Sequence, residues 1–162
     1  MIIDLSGKKA VVSASTAGIG LAIAKGLAAC GAEIIINGRS RESVERALNV
    51  IRQSDGSAKL TGFSGDLATP RMCGQLLTEH PDCDILVNCL GIYALRDFFD
   101  TDDAEWERFF QTNVMSGDNQ RRLVLRRAGR ISEQGPLEQA ALTGGILDRQ
   151  RQRPPVNLLT QH

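Results

Sequence analysis

The residues of this sequence best suited to bind a ligand lie in a glycine-rich turn near the N-terminus. The segment Lys8–Gly20 reads KKAVVSASTAGIG, and Gly18 and Gly20 stand where a helical pattern begins. Glycine lets a backbone come close to a ligand, and the first amides of a helix are unpaired and carry the positive end of its dipole. This turn therefore predicts a site for an anionic group such as a pyrophosphate.

Four apolar segments and the helical patterns between them position this turn. Ala10–Val12 is expected to be a strand buried on both faces, and further strands are expected at Glu33–Asn37, Lys59–Phe63 and Asp84–Asn88. Because helical patterns separate the strands, they should be joined by crossover connections into a parallel sheet. We expect an α/β fold, a Rossmann-type doubly wound parallel sheet, with its ligand site at the carboxyl ends of the strands.

The glycine-rich turn resembles the TGxxxGxG cofactor loop of the short-chain dehydrogenase/reductase family, aligned over Ser13–Gly20. Ser13 keeps a hydroxyl where the family usually has Thr, and Ala14 adds a methyl group where the family usually has Gly. The resemblance implies an oxidoreductase that uses NAD(P)(H) to interconvert alcohols and ketones, with 3-oxoacyl reduction as one option. Its partners would be a nicotinamide dinucleotide and a small carbonyl or alcohol substrate.

The ends of the other predicted strands resemble the family's cofactor contacts as well. These are the loops around Asn37–Ser40, Asp66–Leu67 and Asn88–Gly91. Four loops that meet on one edge of a sheet make the joint resemblance more specific than the glycine motif alone. The cofactor-binding residues that it implies are Ser13, Ser15, Thr16, Gly18, Ile19, Gly20, Arg39, Ser40, Asp66, Leu67, Asn88, Leu90 and Gly91.

The preferred nucleotide depends on the residues that follow the second predicted strand. In NAD-specific Rossmann sites a carboxylate about 20 residues beyond the glycine motif holds the ribose hydroxyls. Asn37 occupies that position here and is neutral, and Arg39 and Ser40 follow it. A guanidinium suits a 2′-phosphate, although Arg41 competes with Arg39 for this role. We therefore expect NADP(H) to be preferred over NAD(H).

A helix beginning near Thr101 carries the one catalytic residue that the resemblance implies. Trp106, Phe109 and Phe110 form an apolar stripe, and Asn113 is the next position on the same face. We expect this face to be buried, and a buried amide needs hydrogen-bond partners. In the family, the Asn at this place interrupts the helix and holds a water of the proton relay. The alternative for Asn113 is a purely structural amide.

The resemblance extends through Gly117 and then stops. We divide the chain into an NAD(P)-binding Rossmann-like portion, residues 1–117, and a divergent tail, residues 118–162, which has eight Arg, six Gln, no Lys and no aromatic residue. The family's catalytic Tyr-x-x-x-Lys pair is absent, because Tyr93 is the last tyrosine and Lys59 the last lysine. A truncated family member with an irregular or disordered tail is expected. The tail is either a shifted reading frame or alternative exon end, or a purposeful basic extension.

Composition sets the remaining expectations. The 162 residues include 19 basic and 19 acidic side chains, so no overall field favours nucleic acid or an anionic membrane. Four cysteines without a CxxC pair, no metal-ligand spacing and no signal-peptide pattern fit a cytoplasmic protein without a metal. An exposed fourth strand would leave room for pairing with a second subunit, so a homo-oligomer remains open. The alternative to a truncated oxidoreductase is a noncatalytic nucleotide-binding or interaction module.

Overall fold

The computed structural model of the chain describes residues 3–95 and 101–127, in which strands and helices alternate. The strands are β1 (Lys9–Val12), β2 (Glu33–Gly38), β3 (Leu60–Ser64) and β4 (Ile85–Val87). The helices are α1 (Gly18–Ala29), α2 (Arg41–Ser54), α3 (Pro70–Glu79), α4 (Asp103–Phe110) and α5 (Ser116–Arg127), with a π-helical segment, Gln111–Met115, between the last two. All four predicted strands are thus confirmed.

The four strands form one parallel sheet in the order β3-β2-β1-β4. In the centre, Val11 of β1 lies opposite Ile35 of β2 and Leu86 of β4. The chain moves outward from β1 through β2 to β3 and then returns to the other side of β1. Such a reversal of direction opens a crevice at the carboxyl ends of the strands, where open α/β sheets bind their ligands. The predicted Rossmann-type sheet is therefore confirmed.

The sheet side chains alternate between two apolar layers, which explains why the strands have continuous apolar sequences. Val12 and Ile36 face the layer formed with α1 and α2, whereas Val11 and Ile35 face the layer formed with α3. All four side chains are fully buried. Helices on both faces make the sheet doubly wound, and the two layers fix the strand ends that carry the predicted site residues.

Most of the apolar stripe of α4 is exposed within the described part of the chain, with Phe109 half-buried, which contradicts the expectation from its helical spacing. Trp106 is 56% exposed and Phe110 is 50% exposed, and Val114 in the π-helical segment continues this exposed surface. Amphipathic spacing predicts which residues share a face but does not show what packs against that face. Among the described residues, no residue of α4 is buried.

The last helix crosses the predicted boundary between the two portions of the chain. α5 begins at Ser116 and continues through Gly117 to Arg127. The helix packs against α3 and β4. The change of composition at residue 118 therefore does not coincide with the end of a helix. The division at residue 117 remains a prediction, and the expected irregular tail falls mostly on residues 128–162, which lie outside the described residues.

Gln120 of α5 is a buried polar side chain without hydrogen-bond partners among the described residues. It is fully buried, and neither its Nε2 nor its Oε1 has a hydrogen-bond partner among the described residues. A buried amide without partners costs about 1–3 kcal/mol, and leucine has a similar volume without polar atoms. We expect Gln120→Leu to raise the free energy of unfolding by about 1–2 kcal/mol in a urea titration.

The control for this change is Gln75→Leu on the exposed surface of α3, where Gln75 donates to Glu79. Surface substitutions usually change stability by no more than about 0.5 kcal/mol. A Gln120→Leu variant that is no more stable than the wild type would contradict the assignment of an unsatisfied amide at this position.

Candidate functional site

The turn after β1 is held in a backbone conformation that favours glycine. Gly18 has a φ of +54°, and Ala14 has a φ of +49° although it carries a Cβ atom. Gly20 packs so closely under the turn that a Cβ atom there would lie 2.6 Å from the Ala14 carbonyl oxygen. The tight turn that the glycine spacing predicted is therefore present. Ala14 adopts the left-handed backbone conformation there, which residues with a Cβ atom rarely adopt.

The first turn of α1 lacks the side-chain cap that the next two helices have. Ser40 accepts the Ser43 N–H at the start of α2, and Thr69 accepts the Met72 N–H at the start of α3. The residue before α1 is Ala17, which has no side-chain acceptor, and the first turn contains no acidic residue. The amides of this 12-residue helix thus remain suited to an external anion.

Two predicted cofactor residues, Ser13 and Ser15, are fully buried and join the loops around the site. The Ser13 hydroxyl accepts the N–H groups of Cys89 and Leu90 at 3.0 and 3.1 Å, which attaches β1 to the loop after β4. The Ser15 hydroxyl donates to the Val12 carbonyl oxygen at 2.6 Å. These hydroxyls hold the framework of the site, and direct contact with a cofactor stays a prediction for both.

Asn37 has a structural role that sequence analysis missed. Its Oδ1 accepts the Ala14 N–H at 3.1 Å, and its Nδ2 donates to the carbonyl oxygens of Phe63 and Gly65 at 3.3 and 3.0 Å. This buried amide therefore ties together the loops after β1, β2 and β3. The sequence shows one amide at the end of the otherwise apolar strand Glu33–Gly38, which indicates a buried polar contact. It does not identify the partners, because they are more than 20 residues away from Asn37.

Six predicted residues line one cleft of about 390 Å³ at the carboxyl edge of the sheet. They come from the loops after all four strands: Thr16, Arg39, Asp66, Leu67, Leu90 and Gly91. The lining is completed by residues outside the named set of cofactor-binding residues: Ala14, Asn37, Gly38, Gly65, Ala68, Ile92, Arg108 and Thr112. The sheet thus brings the four predicted loops to one cleft.

The other predicted cofactor residues border this cleft without lining it. Gly18, Ile19 and Gly20 form the first turn of α1, where the Ile19 side chain is 78% exposed. Ser40 is exposed and caps α2, and Asn88 is exposed directly after β4. A cofactor role for each of these residues remains a prediction.

Asn113 lies in the π-helical segment, so the helix is locally interrupted at this residue. Its Oδ1 accepts the Ile92 N–H at 2.8 Å, and its Nδ2 donates to the Ile92 carbonyl oxygen at 3.1 Å. The residue is exposed, so the expectation of a buried amide is wrong, because nothing in the described residues covers this face of the helix. The amide nevertheless has both partners, and it fixes the helix to the loop after β4.

Comparison with known proteins identifies the family. A model of the short chain dehydrogenase family matches residues 8–132. The chain belongs to this family. The uncharacterized oxidoreductase YvaG of Bacillus subtilis (strain 168) is 45% identical over 117 residues, which are 72% of this chain and 44% of the relative. Gluconate 5-dehydrogenase of Gluconobacter oxydans (strain 621H) is 32% identical over 115 residues, 70% of this chain and 45% of the relative.

Solved structures of family members show the same fold. The structure of L-sorbose reductase from Gluconobacter frateurii complexed with NADPH and L-sorbose matches with a TM-score of 0.71 and 30% identity, over 80% of this chain and 51% of that chain. A putative gluconate dehydrogenase from Agrobacterium tumefaciens matches with a TM-score of 0.72 and 31% identity, over 79% and 51% of the two chains. The chain thus spans about half the length of these relatives.

His80 is not placed for acid–base chemistry at the cleft. His80 follows α3, and burial lowers its pKa, so the neutral imidazole is favoured. It lies near Lys9, Glu33 and Asp82, at the opposite edge of the sheet from the cleft. Residues 3–95 and 101–127 contain no group of three or more His, Cys, Asp or Glu placed to hold a metal. The helices in this part of the chain are too short or too polar to span a membrane.

Proposed function

We propose that this chain is the cofactor-binding part of a truncated short-chain dehydrogenase and that it binds NADP(H). The proposal rests on one observation: the loops after all four parallel strands line the same cleft, and Arg39 is in its wall. A crevice at the point where strand order reverses is the usual nucleotide site of open α/β sheets. The nicotinamide, when bound, supplies or accepts the hydride in the family's reaction.

The residues present fit the parts of such a nucleotide. The uncapped first turn of α1 suits the pyrophosphate, because its amides have no side-chain acceptor at Ala17. The loops after β2 and β3, with Gly38, Arg39 and Asp66, suit the adenosine end. Arg39 is exposed at the end of β2, where its guanidinium can pair with a 2′-phosphate.

The relatives support an oxidoreductase origin for the cleft. One solved relative is an L-sorbose reductase complexed with NADPH, and another is a putative gluconate dehydrogenase. A relative matched by sequence is a gluconate 5-dehydrogenase. Because this chain spans about half of each, we extend only the cofactor-binding function to it, with a small carbonyl or alcohol as the substrate class of the complete proteins.

The proposal is tested by titrating NADPH and NADH against the wild type and Arg39→Ala. NADPH should bind the wild type about tenfold or more tightly than NADH, since a charge-assisted contact with a phosphate contributes about 1.5–3 kcal/mol. Arg39→Ala should weaken NADPH binding and bring the two affinities close together. Arg41→Ala is the control, because Arg41 is exposed in the first turn of α2 but does not line the cleft. Equal affinities in the wild type would remove the NADP(H) assignment.

A noncatalytic nucleotide-binding module is the second candidate function. It is favoured by one sequence observation, the absence of any tyrosine after Tyr93 and of any lysine after Lys59. Both candidates use the same cleft, and they differ in whether the sequence beyond Gly117 serves a purpose. Reading the gene in all three frames beyond that codon separates them, because a Tyr-x-x-x-Lys segment in another frame would indicate truncation.

A further inference from the structure

The helical wall of the cleft contains a cation that sequence analysis did not select. Arg108 of α4 and Thr112 of the π-helical segment both line the cleft and are one helical turn apart. The same cleft is also lined by the ends of β2 and β3 and the loops that follow them, which include Arg39 and Asp66. The cleft therefore has two guanidinium groups in its walls, one on a loop and one on a helix.

The Arg108 guanidinium is held in place by its own helix. Its Nε donates to Glu105 Oε2 at 2.9 Å, and its Nη2 donates to Glu105 Oε1 at 2.6 Å. Its Cζ also lies 5.4 Å from the centre of the Phe109 ring. A two-point contact of this kind fixes the plane of the guanidinium and balances its charge. What Arg108 offers a ligand is therefore mainly a flat, oriented surface.

We propose that Arg108 is a binding residue for the adenine ring, on which its guanidinium plane stacks. The inference rests on the proposed function, because it requires a nucleotide whose adenosine lies near the ends of β2 and β3. A planar guanidinium stacks well on aromatic and heteroaromatic rings, and bases accept such stacking through their π-faces. Since Glu105 already balances the charge, Arg108 contributes to binding of the base and not to recognition of the 2′-phosphate.

Because the two arginines bind different parts of the nucleotide, their loss should change nucleotide affinities in different ways. Loss of Arg39 should change the ratio of NADPH to NADH affinity, because only one of these nucleotides carries the 2′-phosphate. Loss of Arg108 should weaken both nucleotides by the same factor and leave the ratio unchanged. Adenosine monophosphate should be weakened by that factor as well, whereas nicotinamide mononucleotide, which has no adenine, should be unaffected.

The experiment measures the binding of these four nucleotides to the wild type, Arg108→Ala and Arg108→Lys. Arg108→Ala should weaken the three adenine nucleotides about fivefold, the scale of a guanidinium–ring contact at an exposed site. Arg108→Lys should show nearly the same loss, because lysine keeps the charge but lacks the plane. Arg46→Ala is the matched control, since Arg46 is also exposed and paired with a glutamate, Glu42, on its own helix but does not line the cleft.

The outcomes separate this inference from the proposed function. If the wild type binds none of the nucleotides, the proposed function fails and the inference fails with it. If the wild type binds NADPH but Arg108→Ala matches it for every ligand, only the inference is overturned. A loss restricted to NADPH, or full retention of affinity in Arg108→Lys, would also overturn it, because either result would assign Arg108 to charge recognition.

Discussion

Purified chain supplied with NADPH and a panel of ketones, aldehydes and oxoacyl thioesters is expected to show no measurable oxidation of the nucleotide. In the family, proton transfer to the substrate oxygen depends on a Tyr-x-x-x-Lys pair, and this sequence has no tyrosine after Tyr93 and no lysine after Lys59. General acid–base catalysis contributes about 10²–10⁴ in rate, and positioning of the substrate adds more. The cleft alone should therefore bind nucleotide without turning it over.

Tyr93 is the one described residue that could replace the missing phenol. It follows β4 on the correct edge of the sheet, but its side chain is 82% exposed and does not line the cleft. Tyr93→Phe should accordingly leave the background rate unchanged. Turnover that persists through purification and disappears in Asn113→Ala would contradict the prediction, because it would place a working proton relay in this chain.

The substitution Asn37→Asp should destabilise the fold by about 3 kcal/mol at neutral pH, measured by urea denaturation. Asn37 donates from Nδ2 to the carbonyl oxygens of Phe63 and Gly65, and a carboxylate cannot donate to either. The change would leave two carbonyl groups without this donor and would bury a negative charge beside them. It also introduces the acidic residue type found at this place in NAD-specific sites, so it tests why the position is neutral here.

The pH dependence of this variant separates the cost of the buried charge from the cost of the lost hydrogen bonds. Burial next to two carbonyl oxygens should raise the pKa of the introduced carboxyl above its unfolded value of about 3.9. The penalty is therefore smallest below that value, grows as the pH rises through the folded pKa, and is complete above it. Between pH 7 and pH 5 the variant should move toward the wild type in stability.

Asn49→Asp is the matched control for this chemistry, because Asn49 is exposed on α2. The same change of one amide to a carboxyl should alter stability there by no more than about 0.5 kcal/mol. If Asn37→Asp were equally mild, the buried amide would not be the link between the three loops.

Local sequence signals predicted the elements of this fold well. The apolar runs around Val11 and Ile35 predicted buried parallel strands because both faces of the sheet are covered by helices. The cap of α2 is a local feature of the same kind, because Ser40 and its partner, Ser43, are three residues apart. Each of these signals lies in the same few residues that form the strand or helix end, so it can be identified without knowing the rest of the fold.

Features that depend on distant partners could not be predicted in the same way. The partners of Asn37 and Asn113 lie more than 20 residues away, so the sequence indicated that amides were present but not what they contact. The exposure of Trp106 depends on what covers α4, and helical spacing carries no information about that. Arg108 was missed because the residues that share the cleft with it, such as Arg39 and Asp66, are far from it in the sequence.

Binding of a nicotinamide dinucleotide at the carboxyl edge of the sheet can be observed by titrating the isotope-labelled chain with NADPH and following ¹H–¹⁵N NMR spectra. We expect saturable shifts of the backbone amide signals of residues 14–20, 38–39, 65–67 and 90–92, which form the turn, the first turn of α1 and the walls of the cleft. The amides of Gly7, Gly31 and Asp84, at the opposite edge, should not move. Unchanged signals at the carboxyl edge in the presence of millimolar NADPH, or shifts confined to the opposite edge, would show that this cleft does not bind the nucleotide.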